Sequence, residues 1–289
     1  MNATGYKFLQ EFLKQRSGLV LADDKQYLIE SRLMPIARKA NLDSVDTLAA
    51  KIKTDPRGSL AGQVIEAMTT NESFFFRDKT PFDNFTDVML PELMEKRRMQ
   101  KKLRIWCAAA STGQEPYSLG ICLKELGAKA SGWSFEMIGT DLSTQVLEKA
   151  KSGVYTQFEV QRGLPIQLLL KYFTQEGELW RINPDMRAMI QYRVLNLLDS
   201  YTSLGKFDVV FCRNVLIYFD QATKIDILER IAKQMPEDGY LVLGAAETVV
   251  GLTDRFKPVA GTRGLYSLAP ASSDKSEPRP LRAISGGRI

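Results

Sequence analysis

The stretch Ile105-Trp-Cys-Ala-Ala-Ala-Ser-Thr-Gly-Gln-Glu-Pro-Tyr-Ser-Leu-Gly120 predicts the fold class of the chain. It begins as a buried strand, breaks at Ser111-Thr112-Gly113 and continues as a helix from Gln114 to Leu126. A strand, a turn of small residues and a helix form the first half of a nucleotide-binding βαβ unit. A tight strand-to-helix turn in any α/β protein has the same pattern, and the stretch alone leaves both interpretations open.

The turn differs from the dinucleotide-binding pattern G-x-G-x-x-G in two respects. It contains a single glycine, Gly113, and it is followed by Glu115 in the first turn of the predicted helix. A carboxylate at this position suits the helix dipole but repels a pyrophosphate. The turn therefore disfavours a dinucleotide and favours a ligand with hydroxyl groups or a positive charge. S-adenosylmethionine has both.

Composition narrows the class of protein. A chain of 289 residues corresponds to one large or two ordinary domains. It has no apolar run of about 18 residues, which predicts no membrane insertion, and its N-terminus lacks a signal-peptide core. The three cysteines show no paired spacing, so we expect reduced core residues in a cytoplasmic protein. A net charge of +5 is too weak to indicate nucleic acid as a partner.

The chain contains no histidine. This excludes Ser-His-Asp and Cys-His catalysis and removes the commonest metal ligand. No cluster of cysteines and carboxylates indicates zinc, so the sequence predicts no metal site. Any reaction must proceed without a base that titrates near neutral pH, or must use a nucleophile that is already ionised.

Apolar spacing predicts the secondary structure outside the central turn. Residues 1–68 have the pattern of an all-helical domain, and a later helix is expected to end at Pro91. Between residues 153 and 194, the segments 178–182 and 189–194 alternate like antiparallel strands of a small inserted subdomain. Residues 264–268 are expected to form the last strand, at an antiparallel edge. The Ser-, Pro- and Gly-rich tail from Pro270 is expected to be disordered.

The stretch from Thr69 to Asp78 contains three adjacent phenylalanines, which cannot all face one core from a single helix. Some of them must cover a second surface, such as a domain junction or a ligand. Arg77, which follows them, carries a forked guanidinium suited to a carboxylate. The alternative interpretation is an N-cap followed by the buried aromatic start of a helix.

Two polar residues follow predicted strands. Asp141 ends the second strand, where folds of this type bind ribose hydroxyls. It could instead cap the next helix, unless Ser143 is the cap and leaves Asp141 for a ligand. Asn196 also follows a strand end and could contact an adenine or its ribose.

Five separated motifs together resemble the CheR family of chemotaxis-receptor glutamate methyltransferases. The match extends from about residue 6 to residue 268, and the ordered set of motifs is more specific than any one of them. The motifs are Thr70-Asn-Glu-Ser-Phe-Phe-Phe-Arg77, Ala108-Ala-Ala-Ser-Thr-Gly-Gln-Glu-Pro116, Gly139-Thr-Asp141, Asn196-Leu-Leu198 and Phe211-Cys-Arg-Asn-Val-Leu-Ile-Tyr-Phe-Asp220.

The resemblance implies methyl esterification of glutamate side chains on the cytoplasmic helical domain of membrane chemoreceptors, for sensory adaptation. The methyl donor would be S-adenosyl-L-methionine and the product S-adenosyl-L-homocysteine. The resemblance also implies an all-α docking domain at residues 1–68, a linker and cofactor-contacting helix at 69–90, and a Rossmann-like methyltransferase domain at 91–269. The methyltransferase domain would include a small β-subdomain at about 160–194. The disordered tail would be residues 270–289.

The resemblance also assigns candidate site residues. Arg77 and Tyr218 would lie nearest the transferred methyl and are the catalytic candidates. A basic face of the N-terminal domain, formed by Arg32, Arg38 and Lys39, would dock the receptor, although from pattern alone these are charges of a solvated helix face. The cofactor contacts would be Asn71, Ser73, Arg77, Glu115, Asp141, Asn196, Leu197, Arg213 and Asn214.

The chain departs from the family pattern at two places. Ser73 stands where threonine is common, and the hydroxyl that would make the contact is retained. The loop 174–178 is shorter than its glycine-rich counterpart in members that tether to a receptor's C-terminal pentapeptide, so we expect independence from that peptide. The alternatives are a nucleic-acid or small-molecule methyltransferase and a non-catalytic receptor-binding module. Residues 213–218 lack the Asn/Asp-Pro-Pro-aromatic loop of many amino-methylating enzymes.

Overall fold

The computed structural model describes residues 1–269, so the predicted disordered tail at 270–289 lies outside the described residues. The N-terminal domain contains four helices, α1 (Ala3–Ser17), α2 (Gln26–Lys39), α3 (Val45–Thr54) and α4 (Ser59–Met68). Residues 69–79 then form an irregular linker. A helical segment follows, made of α5 (Thr80–Asn84), a π-helical turn (Phe85–Met89) and α6 (Leu90–Lys96).

The remaining elements are a mixture of strands and helices. The first part contains β1 (Lys102–Cys107), α7 (Gln114–Glu125), β2 (Ser134–Asp141), α8 (Thr144–Ser152), β3 (Val154–Thr156), α9 (Gln157–Gln161), α10 (Ile166–Tyr172), β4 (Phe173–Glu176) and β5 (Leu179–Ile182). The second part contains α11 (Pro184–Arg187), β6 (Ile190–Val194), β7 (Val209–Cys212), α12 (Gln221–Lys233), β8 (Tyr240–Leu243), β9 (Phe256–Pro258) and β10 (Leu265–Leu268).

The N-terminal helices form because apolar side chains recur at helical spacing, and polar residues cap the starts of α1 and α3. The Asn2 side chain accepts the Gly5 N–H at the start of α1, and the Ser44 side chain accepts the Thr47 N–H at the start of α3. Leu9, Leu13, Leu33, Leu48 and Val64 meet in a core from which solvent is excluded. The domain therefore has a hydrophobic core of its own.

A seven-stranded sheet forms the centre of the second domain, with strand order β6-β2-β1-β7-β8-β10-β9. The first five strands in this order are parallel, and β10 runs antiparallel to both β8 and β9. Both faces of β1 are buried, with Ile105 in one core and Trp106 in the other. From β1 the chain first builds towards β2 and β6 and later returns to β7 on the other side. The carboxyl ends of β1 and β7 thus form the switch point at which open α/β sheets bind ligands.

The prediction that residues 189–194 belong to the small antiparallel subdomain is wrong. They form β6, which pairs in parallel with β2 and extends the central sheet. The small sheet has the order β3-β5-β4 and lies within residues 154–182. Tyr192 of β6 packs against Gly139 of β2, where an added Cβ would lie 2.8 Å from the ring. An alternating apolar pattern predicts a half-buried strand but does not fix its direction or its sheet.

Two further predictions about element ends are wrong. The helix expected to end at Pro91 continues to Lys96, because the π-helical turn before it shifts the hydrogen-bond register and the Leu90 N–H bonds to Phe85 O. The last strand, β10, is not at the edge, since the three-residue strand β9 covers its outer side. A strand this short carries too few residues to show an alternating pattern.

The small sheet packs directly on the linker. Phe75 is fully buried, and its ring centroid lies 5.1 Å from that of Tyr155 and 5.5 Å from that of Phe173. Gly163 has a φ of 87° and lies so close to the linker that an added Cβ would overlap the Phe75 carbonyl oxygen. The close approach of the linker to the small subdomain therefore requires a glycine at position 163.

We expect the substitution Gly163→Ala to destabilise the protein more than Gly177→Ala. Both glycines have positive φ, which costs an alanine about 1–2 kcal/mol. A Cβ added at Gly177 would meet no heavy atom within 4 Å, whereas one at Gly163 faces the linker backbone, which adds about 1–3 kcal/mol of overpacking. Urea unfolding of both variants measures the difference. Equal losses would show that the linker yields freely.

Candidate active site

One cleft lies at the carboxyl edge of the central sheet, between the N-terminal domain and the sheet domain. Its floor follows β1, β2 and β7, and its opposite wall is formed by the end of α1 and by the linker. All ten residues that the sequence suggests for cofactor binding and catalysis line it, and their individual roles remain predictions. They are Asn71, Ser73, Arg77, Glu115, Asp141, Asn196, Leu197, Arg213, Asn214 and Tyr218.

The turn after β1 is held from three sides. Gly113 has a φ of 95°, and an added Cβ would lie 2.9 Å from both Ala150 Cβ and the Tyr192 hydroxyl. The Tyr155 hydroxyl of the small sheet donates to Thr112 O at 2.8 Å. The Ser111 hydroxyl donates to the linker carbonyl of residue 71 at 2.8 Å. The turn therefore has a fixed shape before any ligand binds, and small side chains at 108, 109 and 111 face the cleft.

Asp141 lies at the end of β2 and is buried. Its Oδ2 accepts the Ser111 N–H at 2.9 Å and its Oδ1 accepts the Ser143 N–H at 3.0 Å. Burial raises the pKa of Asp141, and these backbone hydrogen bonds oppose that shift. Ser143, not Asp141, caps α8 through the Val146 N–H. Each Asp141 oxygen keeps acceptor capacity for a ligand hydroxyl.

A buried ion pair crosses the floor of the cleft. Arg213 Nη1 donates to Glu115 Oε2 at 2.7 Å, and Arg213 Nη2 donates to Asp78 Oδ2 and Arg77 O, both at 2.9 Å. Burial raises the pKa of Glu115, and the attraction of Arg213 opposes that shift. The pair joins the start of α7, the end of β7 and the linker. Arg213 Nε is buried and has no hydrogen-bond partner among residues 1–269.

The three phenylalanines of the linker point to different surfaces. Phe75 enters the core beneath the small sheet, Phe76 packs against Phe82 with a centroid distance of 5.2 Å, and Phe74 lies beside charged side chains. The alternative of an aromatic helix start is wrong, since residues 70–79 form an irregular segment with turns and Phe76 has a φ of 50°. The expectation that they cover more than one surface is confirmed.

Phe74 lies between two guanidinium groups. The Arg162 guanidinium is 4.3 Å and the Arg77 guanidinium 5.4 Å from its ring centroid. Arg162 also donates to Glu72 Oε1 at 2.6 Å, and this hydrogen bond lowers the pKa of Glu72. Arg77 donates to the Glu72 carbonyl oxygen at 2.9 Å. The orientation of Arg77 is thus set by Glu72 and Phe74, which also contact Arg162 of the small subdomain.

The N-terminal domain contributes cleft residues that sequence reasoning missed. Ser17 and Leu19 line the cleft, and the Val20 N–H donates to Tyr218 O at 2.9 Å. Asn196 Nδ2 donates to the carbonyl oxygen at the end of α1 at 2.6 Å. The available signal was Gly18, a glycine directly after an amphipathic helix, which here has a φ of 76° and adjoins the ring of residue 219.

The three basic residues proposed for docking have different surroundings. Arg32 Nη1 donates to Met68 O at 2.9 Å and Thr69 O at 3.2 Å, so it holds the end of α4. Arg38 and Lys39 are exposed at the end of α2. None of the three lines the cleft. Docking by these residues remains a prediction.

Metal-binding clusters and membrane-spanning helices are both absent from the part of the chain that the structure describes. Residues 1–269 contain no group of three or more acidic, Cys or His side chains placed to hold a metal ion. None of the helices within that range combines the length and the apolar character needed to cross a membrane.

Comparison with known proteins gives matches over nearly the whole described chain. The family model described as "CheR methyltransferase, all-alpha domain" matches residues 4–69, and the model "CheR methyltransferase, SAM binding domain" matches residues 71–265. A chemotaxis protein methyltransferase of Pseudomonas aeruginosa is 43% identical over 266 residues, covering 90% of this chain and 96% of that protein. Cher2 of Pseudomonas putida is 42% identical, with 88% and 94% covered. The Escherichia coli chemotaxis protein methyltransferase is 35% identical, with 87% and 86% covered.

We expect Arg213→Met to lower the free energy of unfolding by about 3–5 kcal/mol, because it leaves the Glu115 carboxylate buried without its cation. Arg181→Met is the matched control, since Arg181 forms an ion pair with Glu176 at the surface. We expect that control to have a much smaller effect. Urea unfolding at pH 7 measures both variants. Similar losses would show that the buried pair does not hold the floor of the cleft together.

Proposed function

The chain belongs to the CheR methyltransferase family, and from that membership and the cleft we propose that it methylates glutamate side chains of bacterial chemoreceptors. The methyl donor is S-adenosyl-L-methionine. The observation that carries the proposal is the distribution of charge along the cleft. Glu115 and Asp141 are buried in it with a single buried cation, Arg213, which pairs with Glu115, so the interior keeps one carboxylate in excess, whereas Arg77 and Tyr218 are half-buried. An anionic interior suits a cationic donor with ribose hydroxyls, and a cation nearer solvent suits an incoming carboxylate.

The residues of the interior fit such a donor. Asp141 has lone pairs left for ribose hydroxyls, and the Glu115 carboxylate, which pairs with Arg213 through Oε2, keeps acceptor capacity as well. The small side chains of Ala108, Ala109 and Ser111 let a ligand approach the backbone closely. Arg213 Nε is a buried donor without a partner in the described residues.

The proposed reaction needs no general base. When bound, the donor supplies a sulfonium methyl group, which a carboxylate oxygen attacks as the sulfur–carbon bond breaks and sulfur keeps the electron pair. A glutamate side chain has a pKa of about 4.3 and is already ionised at pH 7, so no proton is transferred. The absence of histidine from the chain is compatible with this chemistry.

The chain contributes mainly by orienting the substrate. Arg77 is held by the Glu72 carbonyl and the Phe74 ring, with its charge available to a glutamate carboxylate. The Tyr218 carbonyl oxygen accepts the Val20 N–H, and its side chain would pack or donate beside the methyl group of a bound donor. Holding two reactants in a near-attack arrangement contributes on the order of 7–11 kcal/mol in favourable cases.

Receptor docking on α2 is also part of the proposal, through the exposed side chains of Arg38 and Lys39. Arg32 lies on the same helix, α2, and its hydrogen bonds to Met68 O and Thr69 O connect α2 to the end of α4 and to the linker. Independence from a C-terminal receptor pentapeptide is a separate part. It rests on the tight hairpin between β4 and β5, in which only residues 177 and 178 join the strands.

The function is tested by incubating the protein with donor carrying a radiolabelled methyl group and membranes rich in a chemoreceptor. We expect base-labile label on the receptor, because methyl esters hydrolyse in base while N-methyl groups do not. Arg77→Gln should lower the rate by at least about tenfold, corresponding to about 1.4 kcal/mol of transition-state stabilisation. Arg181→Gln, at the surface and outside the cleft, should transfer at the wild-type rate. Base-stable label, or label in nucleic acid, would contradict the proposal.

The pentapeptide is tested by titration calorimetry with an Asn-Trp-Glu-Thr-Phe peptide. We expect no measurable binding, because the short hairpin offers no extended loop beside the edge strand β4. Receptors with and without this C-terminal segment should be methylated at the same rate. Nanomolar or low-micromolar binding would refute independence from the peptide.

A further inference from the structure

Glu247 is a buried carboxylate to which the proposed function assigns no role. It lies in the segment after β8, is 9% exposed and is not part of the cleft wall. Within residues 1–269 it forms no ion pair with a lysine or arginine. A buried carboxylate without a cationic partner must be stabilised by hydrogen bonds, so its surroundings show what it holds.

Five backbone N–H groups point at this carboxylate. Oε2 accepts from Gly244 at 2.7 Å and from Asn214 at 2.8 Å. Oε1 accepts from Val215 at 2.9 Å, from Leu216 at 2.7 Å and from Ile217 at 3.3 Å. Consecutive N–H groups that converge in this way form an anion-binding concavity, and here the anion is a side chain of the same protein.

The backbone around Glu247 is shaped for this contact. Asn214 adopts a positive φ of 57°, which turns the chain at the end of β7. An added Cβ at Gly244 would lie 2.7 Å from Glu247 Oε2, so a side chain there would displace the carboxylate. The N–H groups of residues 214–217 have no other acceptor in the described part of the chain. Without the carboxylate, this segment would lose the hydrogen bonds that fix it.

The segment that Glu247 holds belongs to the cleft. Arg213, Asn214, Val215 and Tyr218 all line it. β7 ends just before the segment and α12 begins just after it, at Gln221, so its ends are fixed while its middle depends on Glu247. We propose that Glu247 is a positioning residue for methyl transfer, because it sets the direction in which residues 213–218 face the cleft. The readout by activity rests on the proposed function, whereas readouts by ligand binding and hydrogen exchange do not.

The test is Glu247→Gln, which keeps the size of the side chain but replaces one acceptor oxygen with an NH₂ group. We expect at least a tenfold loss of affinity for S-adenosylhomocysteine by calorimetry and at least a tenfold loss of kcat. Backbone hydrogen exchange should rise at residues 214–217, with protection of β8 and α12 retained. Glu237→Gln, at an exposed glutamate just before the opposite end of β8, should match the wild type. Glu247→Asp, which keeps both oxygens on a shorter side chain, should recover part of the affinity.

The possible outcomes distinguish a failure of the positioning role of Glu247 from a failure of the proposed methyl transfer. Affinity within twofold of the wild type, or loss of protection spread evenly over the domain, would overturn the positioning role. If the wild type binds S-adenosylhomocysteine but transfers no methyl to receptors, the proposed function fails, while affinity and exchange still decide the role of Glu247. Should E247Q not fold, E247D carries the test, with the same local pattern expected at smaller size. If neither variant folds, Glu247 is required for folding itself, and the proposed positioning role is overturned.

Discussion

The ion pair between Arg213 and Glu115 is the interaction on which the cleft depends. Its two charges come from the end of β7 and the start of α7, and its second guanidinium nitrogen reaches the linker at Arg77 O and Asp78. Removing two charges from water is expensive, and apolar residues of similar volume often stabilise a protein as well. Here the pair fixes three segments in one geometry, and that geometry places a carboxylate in the interior of the cleft.

The linker is the second organising feature, because three parts of the molecule determine its path. Arg32 holds its start from the N-terminal domain, Ser111 holds it at residue 71, and the small subdomain packs on Phe75. The backbone at Ser73 and Arg77 therefore has a defined position although it is irregular. A site on such a segment is sensitive to substitutions far from it, and the contact between Gly163 and Phe75 is one example.

Much of the cleft could be predicted because parallel sheets bring the carboxyl ends of their strands together. Asp141 is the last residue of β2 and Arg213 directly follows β7, so this rule predicts their place in the cleft. The direction of β6 could not be predicted, because alternation describes burial and not pairing. The partners of Arg213 and four of the five donors to Glu247 could not be found from sequence patterns either, since these contacts join residues distant in the chain. Helical periodicity predicted α1, but not that its end would reach a cleft formed by another domain.

The end of α1 has a consequence for how relatives can exchange parts. Ser17 and Leu19 line the cleft, and Lys14 forms an ion pair with Asp220 at 2.8 Å. The border between the two family models, near residue 70, therefore runs through the binding site and not beside it. A chimaera joined there would pair one parent's helix end with the other parent's residues 213–220. The contacts between these segments are kept when both come from the same parent, so the cleft couples the two modules.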